Sequence, residues 1–189
     1  MDQVELEDVL RRACRRDPQA LGRLFDQFGP RVFGLLLRMT GSRDVAEDLM
    51  QETFLRIVRT IDQYEEAGRF EAWLFRIAAN LARDRARRLG RRGEHVSWDA
   101  LEEGASVAAA RTMDHESPDR KLLADEAGAH LAACLARLTD AEREILLLRH
   151  YSELSFREIA DMLGVPLGTA LARAHRALQR LRSLHEGKG

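Results

Sequence analysis

LSFREIADMLGVPLGTALARAHRALQRLR, residues Leu154–Arg182, decides the fold of this chain, because it spells a short helix, a tight turn and a second helix edged with arginines. Ser155 with Glu158 three residues on is a capping box, and Phe156, Ile159, Ala160 and Leu163 fall on one apolar face. Gly164 suits the left-handed position that ends a helix, and Pro166 suits the first turn of the next, where its missing amide hydrogen is not needed. In that next helix Thr169, Arg173, Arg176 and Arg180 share one stripe, while Ala170, Ala174, Ala177 and Leu181 line another. One stripe can pack and the other can meet phosphates and base edges. The pattern is that of a DNA-reading helix-turn-helix; a basic helix of an ordinary bundle would carry the same charges.

Working outward, the 189 residues are 45% hydrophobic and 32% charged, enough for two small helical domains. Strand-type alternation is absent and helical periodicity runs through most of the chain, so the expected class is all-α. Apolar clusters such as Val32–Leu37 fall well short of the roughly 20 residues that span a bilayer. The start, MDQVELEDVL, is acidic, unlike a secretory signal, so no membrane insertion and a cytoplasmic location are expected. Cys14 and Cys134 lack a CxxC or histidine partner at ligand spacing, which argues against disulfide and zinc roles; Cys134 reads as core with Leu131, Leu135 and Leu138. No HExxH, phosphate-binding glycine loop or nucleophile elbow is present, so we expect no catalytic residue, metal, cofactor or small-molecule substrate.

The net charge of -1 hides a segregation that matters more than the sum. Leu81–Gly93 carries six arginines against one aspartate, whereas Glu94–Glu116 carries six acidic residues against one arginine. A basic patch supplies phosphate contacts, and an acidic stretch beside it repels DNA or fits a basic channel on a partner. Residues 93–116 also lack periodicity and read as a flexible acidic linker between a domain at 1–92 and a helix-turn-helix domain at 117–189. Within the first domain, breaks are expected near Asp17-Pro18, Gly29-Pro30, Gly41-Ser42 and Gly68; Ser117-Pro118 opens the second.

Two further surfaces stand out. Ala46–Asp62 places Ala46, Leu49, Met50, Thr53, Phe54, Ile57, Val58 and Ile61 on a core face. The opposite face holds Asp48, Gln51, Glu52, Leu55 and Arg59, a leucine ringed by polar groups, which is the anatomy of a protein interface and also occurs on monomers. Arg69–Arg92 puts Phe70, Trp73, Leu74, Ile77, Ala78 and Leu81 on one face and Arg76, Asn80, Arg83 and Arg87 on the other. Asn and Arg are shaped for base-edge and phosphate contacts, and the loop bordered by Tyr64 and Phe70 suits an unstacked base. Those aromatics serve equally well as core, the better reading for Trp73. Thr139 with Glu142 forms a second capping box ahead of Ile145, Leu146 and Leu148.

In this order, AEDLMQETFLRIVR, FEAWLFRIAANLARDRARR and LTDAEREILLLRHYSELSFREIADMLGVPLGT resemble the polymerase-binding helix, the −10 segment and the −35 domain of extracytoplasmic function (ECF, group 4) sigma factors of the sigma-70 family. The resemblance covers nearly the whole chain. It implies that Asp48, Gln51, Glu52, Leu55 and Arg59 contact the clamp helices of core RNA polymerase, and that Tyr64, Phe70, Arg76, Asn80, Arg83, Asp84, Arg87 and Arg88 serve the −10 element. It further implies that Thr169, Leu171, Ala172, Arg173, His175, Arg176 and Arg180 serve the −35 element, with promoter DNA and an anti-sigma factor as partners. The chain departs from the family after Thr169, where Ala170-Leu171-Ala172-Arg173 stands in place of the usual Val-Lys-Ser-Arg. At about 1 kcal/mol per lost polar contact, −35 binding is expected to weaken or to shift towards thymine methyl groups.

Overall fold

The computed structural model describes residues 1–64, 69–91, 128 and 130–187. These residues form helices joined by short turns: α1 (Gln3–Cys14), α2 (Pro18–Thr40), α3 (Arg43–Thr60), a 3₁₀ turn (Ile61–Gln63), α4 (Phe70–Arg91), a helical stretch at 130–136, α5 (Asp140–Ser152), α6 (Phe156–Leu163) and α7 (Leu167–His185). The expected linker 93–116, the break at Gly68 and the opening at Ser117-Pro118 lie outside the described residues.

Local chemistry sets most boundaries. Asp17 caps α2 by accepting from the Gln19 amide and Pro18 takes the first helical position, while Gly41 ends α2 at φ 69° and donates to the Leu37 carbonyl. Ser42 then caps α3. Both capping boxes form: Thr139 with Glu142 opens α5, and Ser155 with Glu158 opens α6. Gly164 closes α6 in the left-handed region at φ 66°.

The break expected at Gly29-Pro30 does not occur, and α2 runs straight through it. A proline inside a helix removes one backbone bond and costs about 3 kcal/mol. Here Pro30 and Asp26, whose carbonyl loses its partner, are on the exposed side, where water can replace the bond. The buried side of the same helix carries Leu24, Phe28, Val32, Leu35 and Leu36, and that burial holds the helix together across the defect.

Packing produces one feature that periodicity does not announce: the two halves of the chain share a single apolar core. Leu10, Leu24, Phe28, Ile57, Phe70, Leu74 and Phe75 from α1–α4 are continuous with Leu135, Ile145, Leu148, Ile159 and Ala174 from the second half. The seam runs along α2 and α5. Gly34 of α2 faces the Tyr151 ring of α5 so closely that a Cβ there would overlap it, and Arg31 Nε donates to the Tyr151 carbonyl at 2.8 Å. Arg31 also pairs with Glu71 of α4 at 3.1 Å and stacks its guanidinium over the Phe28 and Phe75 rings.

The capping boxes predict a pH response. Hydrogen bonds from Ser155 hold the Glu158 carboxyl below its ordinary 4.5, so the stabilisation is complete above that value and is lost as pH falls through the lowered one. Ser155→Ala should cost about 1 kcal/mol at neutral pH, read from the urea midpoint, and the gap from the parent protein should narrow below pH 4.5. A gap independent of pH would remove Glu158 from the account.

Candidate polymerase and promoter interfaces

On α3 the two expected faces separate, with a wider boundary between them than periodicity predicts. Ala46, Thr53 and Ile57 are buried, with Ile61 of the following turn, whereas Leu49, Met50, Phe54 and Val58 are only half-buried. Asp48, Gln51, Leu55 and Arg59 are exposed and Glu52 is half-exposed, tied to Arg56 at 2.9 Å. Leu55 exposes 49% of its surface, a large apolar side chain held up by a rigid helix. Beside this face, Phe25 of α2 is also exposed and packs against Phe54 with ring centroids 4.8 Å apart and planes tilted by 60°, an apolar extension that sequence reading missed.

On α4 the polar face expected from the sequence is mostly exposed, and one residue grouped with it is core. Arg76, Asn80, Arg87 and Arg88 are exposed, and Arg83 and Asp84 are half-buried. Arg83 Nη2 donates to Asn80 Oδ1 at 2.6 Å, and Arg87 lies 3.7 Å from Asp84, so the polar groups preorder one another along the helix. Phe70, expected to border a base-binding loop, is 2% exposed and packs against Phe28 and Trp73. It is a core residue, because the first turn of α4 packs against the middle of α2 at Phe28. Tyr64 is half-buried, stacked on the half-buried Trp73 at 5.0 Å and edge-on to Phe70 at 5.7 Å. Residues 65–68 between them lie outside the described residues.

In the helix-turn-helix, α6 supports α7 through Ile159, Ala160 and Met162 against Ala170, Ala174 and Ala177. Leu171, Ala172, His175, Arg176 and Arg180 are exposed, while Thr169 and Arg173 are half-buried. The arginine stripe therefore does not stand free. Arg176 Nε lies 3.8 Å from Glu142, the capping residue of α5. Burial pushes the Glu142 carboxyl up, but the bonds from Thr139 and the charges of Arg180 and Arg176 outweigh it and hold the group low.

Glu144, two residues on, behaves oppositely. Its side chain is 14% exposed and burial raises its pKa, against the opposing charges of Arg83, Arg173 and Arg87. Arg83 Nε approaches Glu144 Oε1 to 3.1 Å, yet its N–H is directed at the Ala79 carbonyl 3.4 Å away. Oε1 accordingly has no hydrogen-bond donor, and the contact is an ion pair alone. Neither acidic residue was singled out for this from the sequence, since Glu142 was read only as a cap and the partners of Glu144 come from two other helices. Among the described residues there is no cluster of ligating side chains that could hold a metal ion and no helix long and apolar enough to cross a membrane.

Residues 24–92 match the Sigma-70 region 2 family and residues 134–183 match the Sigma-70, region 4 family. The chain is 37% identical to the RNA polymerase sigma factor CarQ of Myxococcus xanthus over 85% of its length and 86% of that protein's. It is 30% identical to the ECF RNA polymerase sigma factor SigW of Bacillus subtilis, over 95% of its length and 96% of that protein's. The sigma factor RpoE of Bartonella quintana, solved with the anti-sigma factor NepR, shares the fold with a TM-score of 0.66 at 24% identity, covering 87% of this chain and 96% of that one. With region 2 carrying α2 to α4 and region 4 carrying the helix-turn-helix, the chain belongs to the extracytoplasmic function RNA polymerase sigma factors.

Proposed function

We propose that this chain binds core RNA polymerase through the exposed face of α3 and directs it to promoters by presenting α4 to the −10 element and α7 to the −35 element. The observation that carries the reading is one of order and exposure: three polar faces occur in the sequence order of regions 2 and 4, each on a helix whose other face is buried. Asp48, Gln51, Glu52, Leu55 and Arg59 form the polymerase contact. Arg76, Asn80, Arg83, Asp84, Arg87 and Arg88 serve −10 DNA with Tyr64 at the rim, and Thr169, Leu171, Ala172, Arg173, His175, Arg176 and Arg180 serve −35 DNA. The domains are 1–92 and 117–189 with 93–116 as tether. The chain itself catalyses nothing, works in the cytoplasm where polymerase is, and is held in check by an anti-sigma factor, as the solved RpoE relative is bound by NepR.

Transcription in vitro tests the assignment. Purified chain with core enzyme on a promoter library should give initiation from a defined subset, and the chain alone should bind DNA weakly. Tight operator binding without polymerase, and no initiation with it, would favour a stand-alone helix-turn-helix regulator. In the same assay Arg176→Ala should cost about 1–3 kcal/mol of discrimination between −35 sequences if the guanidinium reads a base edge. An equal loss on every sequence would make it a phosphate contact.

A further inference from the structure

Two buried arginines line one small cavity at the end of α2. Arg38, in the last turn of that helix, is 8% exposed, and Arg143 of α5 is 4% exposed. The walls are otherwise apolar, with Leu37 on one side and Ala132, Leu135 and Ala136 on the other. The cavity measures about 10 Å³, room for one water-sized group, and is partly open to solvent. None of these residues belongs to the faces assigned to polymerase or DNA.

The two arginines differ in how their charge is met. Arg143 directs its donors at the Leu135, Ala136 and Leu138 carbonyls and pairs with Asp140 at 3.3 Å, an acid whose side chain is 95% exposed and screened by water. Arg38 makes no hydrogen bond or ion pair among the described residues. A guanidinium cannot shed its proton to escape burial, so a cation with five donors is held beside a second cation in an apolar wall. Water in the cavity can accept a hydrogen bond from it but leaves the charge uncompensated. An anionic oxygen supplies both. The planar fork of a guanidinium matches the two coplanar oxygens of a carboxylate, and the end of a carboxylate is small enough to enter from the open side.

We propose that the Arg38 cavity is a carboxylate-binding site, taking the end group of a small organic acid or of an acidic side chain presented by another protein. Its walls come from α2 on one side and from the stretch at 130–136 and α5 on the other. An occupant therefore touches both halves of the chain and stabilises the folded form by mass action.

Thermal unfolding of the full chain tests this, with sodium formate, sodium acetate or a polyglutamate peptide replacing sodium chloride at constant ionic strength and neutral pH. Two variants are run beside the parent, each checked for unchanged helical circular dichroism. Arg38→Met keeps the apolar stem and removes the charge, whereas Ala136→Leu keeps the charge and fills the cavity from a half-buried helical position. Each carboxylate should raise the parent's midpoint by about 3–6 °C at tenfold its dissociation constant, and neither variant should respond. In chloride alone Arg38→Met should melt no lower than the parent, because it removes a buried charge that has no partner. The Arg38 Nε–H resonance of the parent should move saturably as formate is added, and should stay still in Ala136→Leu. A response to the peptide at far lower carboxylate concentration than to formate identifies a protein side chain as the source, and a response at equal concentration identifies a free acid; both support the site. The proposal is overturned if chloride stabilises the parent as much as formate does, if either variant responds as the parent does, or if Arg38→Met melts well below the parent in chloride.

Discussion

Gln51→Ala combined with Leu55→Ala should abolish measurable association with core RNA polymerase while leaving the thermal unfolding curve in place. Both side chains are exposed on α3, and neither contributes to the apolar core. Alanine is the best helix former, so the helix itself does not suffer. The loss falls on the interface, where a half-exposed leucine surrounded by Asp48, Glu52 and Arg59 has the form of an anchor inside a polar rim. Truncating such an anchor costs about 2 kcal/mol or more, a thirtyfold loss at least, and removing the neighbouring amide adds to it. Surface plasmon resonance against immobilised core enzyme reads the change directly. Retained binding within a factor of three would move the polymerase contact off this face, with the Phe25–Phe54 patch as the next place to look.

Arg143→Met should be the most destabilising single change in the second half, at about 3–5 kcal/mol. Arg143 is 4% exposed and its guanidinium holds three main-chain carbonyls at once: Leu135 at 2.9 Å, Ala136 at 3.2 Å and Leu138 at 2.9 Å. Those carbonyls belong to the end of the helical stretch at 130–136 and the turn after it, where the Leu135 carbonyl also accepts from the Leu138 amide at 3.1 Å. Methionine fills the volume but offers no donor, so the loss is that of three arginine hydrogen bonds to buried carbonyls, each acceptor that loses its donor costing about 1–3 kcal/mol. Burial pulls the guanidinium below its ordinary pKa, and Asp140 at 3.3 Å partly restores it. Urea denaturation of the full chain measures the effect, and a shift under 1 kcal/mol would mean that water enters the turn and replaces the arginine.

What sequence reading captured here is whatever is decided within one or two helical turns. Ser155 with Glu158, Thr139 with Glu142, Asp17-Pro18 and Gly41 act on neighbouring amides, so their consequences can be worked out without a third dimension. The exposed face of α3 was legible for the same reason, because a helix with one apolar stripe has only one way to turn. Gly29-Pro30 misled because the rule for proline is local while the force that overrides it, burial of Phe28, Val32 and Leu35, is not. Phe70 misled in another way: periodicity places it on the apolar face of α4 but does not say that the face closes over Phe28. Glu144 was invisible, since nothing around it in the sequence marks a residue whose partners arrive from α4 and α7.

Pro30 divides α2 into two stretches that need not melt together. The ladder of amide bonds that transmits cooperativity along a helix is missing a rung there, so opening on one side is not forced on the other. The stretch before it packs α1 through Ala20 and Leu24, and the stretch after it carries Arg31 and Gly34 to Tyr151. Fraying that starts at the amino terminus can therefore stop at Pro30, leaving the seam with the second half of the chain intact.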